Sequence, residues 1–262
     1  MTEALVITFH GLELADPSKA DEPHTTESRY TLDVANFRQM MDMAAKSGCC
    51  TVSDLHTMPA GNYVVLTFDD GLASDYELAF PVLAERNIKG TFYVTSGNVG
   101  KPGYSTFSQL SEMSSNGMEI GSHGMTHSYL TTMTRANAAR EIRESKQEIE
   151  QRLGRAVRSY AAVGGHYHRW MIEEAWAAGY ESFATMIPGI TRVGRQSVLR
   201  RVHIQHQHNA AYFDNLLRRN RLDLFGARMR YQLLYLPKVV LGMQRYDALK
   251  EAVTKRLKSS CN

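Results

Sequence analysis

The sequence predicts an α/β protein, and three observations carry that expectation. Short apolar runs rich in β-branched and aromatic residues recur along the chain, at residues 64–68, 91–95 and 180–185. Stretches with helical spacing of apolar positions stand between them, as at residues 33–46 and 134–153. Two of the strand-like runs end in polar clusters: Asp69-Asp70-Gly71, and His123-Gly124-Met125-Thr126-His127. In α/β proteins, ligands sit at the C-terminal ends of strands.

The elements follow in order. Residues 5–9 read as a strand ending at His10-Gly11. Residues 13–30 are polar, carry Pro17 and Pro23, and read as a long loop. Val34, Phe37, Met40, Met41 and Ala44 mark a helix over 33–46, with Gly48 as its C-cap. Residues 50–52 read as a short strand. After Gly71 a helix is expected over 74–85, with Pro81 breaking or restarting it. Residues 91–95 form the next strand, and 96–105 a glycine-containing loop lining a substrate groove. A helix over 106–116 ends at Gly117, and the strand 118–122 delivers His123. Thr134 caps a long helix that Gly154 stops. Its charges, Glu141 among them, read as a solvated face. A strand over 158–163 leads into Gly164-Gly165-His166-Tyr167-His168. A helix over 170–178 closes at Gly179, Pro188-Gly189 turns the chain, and 200–204 is the last strand, carrying His203.

Two adjacent aspartates after a buried strand repel each other unless a cation or a shared proton relieves them. A helix N-cap accounts for one carboxylate but not two. Histidines at i and i+4 lie on one face if the chain turns helically after its strand. That spacing suits two imidazoles on one divalent metal. Two histidines and one aspartate leave metal positions open for water.

Thr67-Phe68-Asp69-Asp70-Gly71 together with His123-Gly124-Met125-Thr126-His127 resembles the first two motifs of the polysaccharide deacetylases, the NodB-homology or carbohydrate esterase family 4 proteins. Phe80-Pro81-Val82-Leu83 and Gly90-Thr91-Phe92-Tyr93-Val94 resemble that family's intervening helix and strand. The resemblance implies a distorted, incomplete (β/α)7 barrel. It implies a divalent metal, zinc with cobalt or nickel as alternatives, held by Asp70, His123 and His127, with Asp69 as general base. It places a catalytic acid near His203, and His206 and His208 compete for that role. His10 would border the site, as a strand-end histidine does in exopolysaccharide-associated members. The family's third motif, which brings an arginine to orient the base, is altered here: Ala161, Ala162 and Val163 precede Gly164-Gly165. A backbone N–H at Gly164 remains a candidate oxyanion donor, and His166 a candidate substrate contact. The implied reaction is removal of N-acetyl groups from a bacterial exopolysaccharide or its glycan precursor. A small cyclic amide or ureide hydrolase, or a catalytically impaired glycan-binding scaffold, are the alternatives.

Composition bounds these readings. A chain of 262 residues, 43% apolar and 22% charged, is ordinary for a globular protein with a sizeable core. A net charge of +3 is too small to argue for nucleic acid, and no nucleic-acid partner is expected. Cys49 and Cys50 are adjacent and Cys261 is remote, so no disulfide framework is expected. With no secretory leader and no apolar run near the roughly 20 residues of a membrane span, a cytoplasmic location is expected. Residues 1–204 are expected to form the catalytic domain and 205–262 a helical extension packed on it. That extension is basic, with Arg218, Arg219, Arg221, Arg228 and Arg230, and a peripheral contact with an anionic membrane or lipid-linked glycan is its second reading. The oligomeric state is not readable from the residues.

Overall fold

The computed structural model describes residues 1–14 and 30–241. Most of the loop expected over 13–30, the end of the basic tail and Cys261 lie outside the described residues. Twelve strands are described: β1 (Thr2–Phe9), β2 (Leu12–Glu13), β3 (Leu32–Asp33), β4 (Cys49–Cys50), β5 (Asn62–Phe68), β6 (Thr91–Val94), β7 (Glu119–Ser122), β8 (Ser159–Ala161), β9 (Ser182–Ala184), β10 (Thr191–Val193), β11 (Ser197–Leu199) and β12 (Arg201–His203). The α-helices are α1 (Val34–Ala44), α2 (Phe80–Glu85), α3 (Phe107–Ser115), α4 (Arg135–Leu153), α5 (Arg169–Ala177), α6 (Ala210–Leu217) and α7 (Arg221–Leu241).

The main sheet runs β1-β5-β6-β7-β8-β9-β11, with β10 added antiparallel on β1. One segment completes the ring. Its first half, β11, pairs in parallel with β9, and its second half, β12, pairs in parallel with β1 at Val6↔Arg201 and Thr8↔His203. Counting β11 and β12 as one staggered strand gives the expected distorted seven-stranded barrel. The strand alternation sorts side chains in two directions. Leu5, Ile7, Phe9, Leu66 and Phe68 pack outward under the helices, while Ala4, Val6, Val65, Tyr93, Ala161, Ala184 and Leu199 pack in a second, smaller cluster inside the barrel. The interior admits one large ring only because Gly121 carries no Cβ: an added carbon would stand 2.6 Å from Tyr93.

The helices begin and end as the residues dictate. Asp33 caps α1, accepting from the Ala35 and Asn36 amides, and Gly48 closes the following 3-10 turn with φ +62°. Such a cap contributes about 1 kcal/mol. Thr106 and Gln109 form a capping box on α3, and Thr134 and Gly154 bound α4. The helix expected over 74–85 is continuous, but its first part, Asp75–Ala79, is a π turn, and Pro81 sits in the first turn of α2 rather than breaking it. The expected strand over 50–52 is confined to β4. Strands β10 and β11 were not expected, since three residues are too few to show a period. Helix α6 buries Phe213 and Leu216, and Asn36 donates to the His208 carbonyl, tying it beside α1. Among the described residues no helix is long and apolar enough to cross a membrane.

Candidate active site

Asp69 and Asp70 follow β5, His123 follows β7, His10 follows β1, and His203 ends β12. All lie at the C-terminal rim of the barrel. A cleft of about 580 Å³ between His56, Arg158, Trp176 and Arg195 opens at the opposite rim and contains none of them.

Asp70, His123 and His127 each offer one ligand atom, all within 4.8 Å of one another. His127 Nε2 lies 2.8 Å and His123 Nε2 3.4 Å from Asp70 Oδ1. The buried His123 ring donates from Nδ1 to the Ala161 carbonyl at 2.8 Å, which turns Nε2 toward the other two groups. A metal-binding histidine is usually oriented by such a bond. The histidines do not converge through a helical turn, as their spacing suggested. Gly124 and His127 take positive φ (+82° and +55°), and the chain between them is a loop. Asp70 is also left-handed at φ +82°, so two of the three candidate ligands hold a conformation costing about 1–2 kcal/mol.

The loop is held from below. Glu141 on α4 is buried; its Oε2 accepts from the Met125 and Thr126 amides at 2.7 and 3.0 Å, and Oε1 from the Thr126 hydroxyl at 2.8 Å. Glu141, expected on a solvated face, is buried instead. Ala138, Glu141, Ile142, Ser145 and Ile149 form the inward stripe of α4, so the spacing carried the signal. We expect Glu141→Ala to leave these two amides unpaired, costing about 1–3 kcal/mol of stability. It should also weaken divalent-metal binding roughly 10–100-fold, as loss of an outer-shell partner does. Metal titration alongside thermal unfolding checks both.

The general-base candidate Asp69 is 2% exposed. The Arg201 guanidinium grips it with two parallel bonds, Nη1 to Oδ1 at 2.7 Å and Nη2 to Oδ2 at 2.9 Å. Arg201 is fully buried inside the barrel, and its Nε donates to the Thr185 carbonyl. Burial alone raises the Asp69 pKa, but the charge and hydrogen bonds of Arg201 win and hold it below the usual carboxylate range. The arginine missing after β8 is therefore supplied by β12. Sequence reading found that strand but not this residue, although a charged side chain in an otherwise buried strand demands a partner.

Asp70 is pushed up by burial and pulled down more strongly by hydrogen bonds from His123 and His127, so it stays ionised. Burial lowers the His123 pKa, but Asp69 and Asp70 together raise it above the ordinary imidazole value. A third carboxyl, Asp75, is driven well above its usual range by burial and by the Asp70 charge.

His10 and His203 face each other with ring centroids 4.6 Å apart, and Tyr30 stacks on His203 at 4.8 Å. Burial lowers both pKa values, and Asp70 opposes this in each; the charges of Arg201 and His123 add to the lowering at His10, and those of His10, Arg201 and His208 at His203. Both rings thus join the carboxylate pair electrostatically. His208, a competitor of His203, stacks instead on Tyr212 and bonds the Gln205 amide. Gly164, at φ +62°, and His166 stand in the turn after β8, packed on Tyr129.

The rim of a parallel barrel thus joins an aspartate pair to two histidines, a donor set that fits a divalent metal. Residues 57–183 match the family model of the polysaccharide deacetylases. The match contains Asp69, Asp70, His123, His127, Gly164 and His166 but stops short of Arg201 and His203. The chain is 28% identical over 131 residues to YxkH of Bacillus subtilis, a protein assigned to the polysaccharide deacetylases, covering 50% of this chain and 47% of that one. It is 29% identical over 139 residues to chitin deacetylase 1 of Cryptococcus neoformans, covering 53% of this chain and 29% of that one. The chain thus spans less than half the length of these curated relatives. In fold it resembles the Streptococcus pyogenes deacetylase PplD, solved in complex with acetate (TM-score 0.72, 23% identity, 83% of this chain and 97% of that one). It also resembles IcaB from Ammonifex degensii (TM-score 0.65, 20% identity, 83% and 97%).

Proposed function

We propose that this protein is a metal-dependent hydrolase that removes N-acetyl groups from a glycan, a bacterial exopolysaccharide or its precursor. The observation that carries the reading is the convergence of Asp70, His123 and His127 beside an arginine-clamped Asp69. The names of the curated relatives, polysaccharide and chitin deacetylases, support an acetylated glycan as substrate. Two imidazoles and one carboxylate fit zinc, and also cobalt or nickel. A divalent cation bound there supplies Lewis-acid polarisation of the acetyl carbonyl and lowers the pKa of water.

The residues have distinct tasks. Asp69 is the general base. Because Arg201 keeps its pKa low, it stays ionised at neutral pH, as a group that accepts a proton from water must. The Gly164 N–H is the proposed donor to the tetrahedral oxyanion, and His166 flanks the same side of the substrate. His203 protonates the leaving amine. Its buried setting disfavours the imidazolium, so a protonated His203 is a strong acid. His10 packs against it and fixes its ring. The clamp supplied by Arg201 favours an active enzyme over a scaffold.

The test is acetate release from a panel of N-acetylated glycans after reloading with zinc, cobalt or nickel. Asp69→Asn should lower turnover by roughly 10²–10⁴-fold while metal stoichiometry is retained. No acetate release from any glycan by the metal-loaded wild type sinks the reading.

A further inference from the structure

Helix α7 turns back beside α6 and carries apolar residues on two faces. Leu224 and Ala227 pack toward the core. Leu222, Phe225, Met229 and Leu233 point the other way and are 80%, 62%, 38% and 63% exposed. Their spacing of three, four and four residues confines them to roughly 80° of the helix circumference. The core packing of the barrel does not use this stripe.

Arg221 and Arg228 stand about 40° and 60° beyond one edge of the stripe, and Arg230 about 60° beyond the other, with Asp223 a further 20° round. Arg218 and Arg219, just before the helix, are already paired with Asp214 and Glu3. Arg221, Arg228 and Arg230 have no carboxylate partner among the described residues. The stripe itself carries no acidic residue. Residues 242–262, which follow it, contain five Lys or Arg against two Asp or Glu.

From this arrangement we infer that α7 is a membrane-surface helix that lays its outer stripe into the interface of an anionic phospholipid bilayer. An apolar face bordered on both sides by cations is the pattern of an interfacial amphipathic helix. The side chains insert among the acyl chains, and the arginines meet the phosphates at headgroup level. A second copy of the chain is a poorer occupant. Two such stripes meeting face to face bring the flanking arginines of both copies together, and like charges across an interface oppose association.

The test uses the full chain and sedimentation with vesicles of three parts phosphatidylcholine to one part phosphatidylglycerol. The wild type should co-sediment with these and bind pure phosphatidylcholine vesicles far more weakly. The Phe225→Ser/Leu233→Ser variant should bind at least tenfold more weakly, and Arg228→Gln/Arg230→Gln about fivefold more weakly for each arginine removed. Thermal unfolding checks that each variant folds. If the double serine variant does not, Leu222→Ser, at the most exposed position of the stripe, gives the reading. Absence of the wild type from the anionic vesicle pellet overturns the inference, as does equal binding by the folded variants. A concentration-dependent dimer that Phe225→Ser dissociates also overturns it. The readout needs no catalysis, so its failure leaves the deacetylase reading standing.

Discussion

Arg201→Ala is expected to destabilise the protein by about 3–5 kcal/mol, the cost of leaving a buried charge without its partner, and to disable the proposed general base. Asp69 is 2% exposed and receives two bonds from this guanidinium. Without it, the burial that already pushes the carboxyl upward is opposed by the smaller His123 and His10 charges, and Asp69 should hold a proton at higher pH. The two proteins should then respond to pH with opposite sign. In the wild type the folded-state pKa of Asp69 is depressed below its unfolded value of roughly 3.9. The pair's contribution to stability is therefore complete above that value and lost as pH falls through the folded one. In Arg201→Ala the folded value lies above the unfolded one, so stability falls as pH rises past about 4. Urea unfolding between pH 3 and pH 7 separates these slopes. Arg201→Lys should rescue poorly, because a single ammonium cannot make two parallel bonds. Unchanged activity in Arg201→Ala would remove Asp69 from the role of base.

His123→Ala is expected to have the second large effect, on metal affinity. Outer-shell partners of metal ligands are worth roughly 10–100-fold, and a direct ligand should exceed that. Calorimetric titration with zinc or cobalt measures it. The wild type should also bind metal with a marked pH dependence. Asp69 and Asp70 raise the His123 pKa, so a proton competes for the ring at higher pH than it does for an ordinary imidazole. Affinity should therefore fall as pH drops through that raised value. Saturating metal should stabilise the wild type by about 2.7 kcal/mol at a hundred times Kd and leave His123→Ala unmoved. Equal thermal shifts in both proteins would place the metal elsewhere.

Sequence patterns exposed the parts of this site that are local. Each candidate ligand closes a strand whose apolar run is legible by itself, and α1, α3 and α4 announce themselves through caps and spacing. Asp69 and Arg201 stand 132 positions apart and meet only because the ring closes. No local pattern encodes that meeting. Glu141 was readable in principle: it sits on the inward stripe of α4, where a charge needs a reason, yet the abundance of neighbouring charges masked it. The convergence of His123 and His127 was anticipated for the wrong geometric reason. Left-handed residues, rather than a helical turn, bring the rings together, and non-glycine residues in that region leave little trace in composition.

The way the ring closes bears on what can be cut out and kept. A fragment limited to residues 57–183 holds every candidate ligand and Asp69, yet omits both β1 and the segment that bridges β9 to it. Such a piece would present two unsatisfied sheet edges to solvent, an invitation to self-association, and an aspartate with no counter-ion. Expression of the homology region alone is therefore a poor route to a working enzyme. The smallest unit worth purifying runs from before β1 to beyond His203.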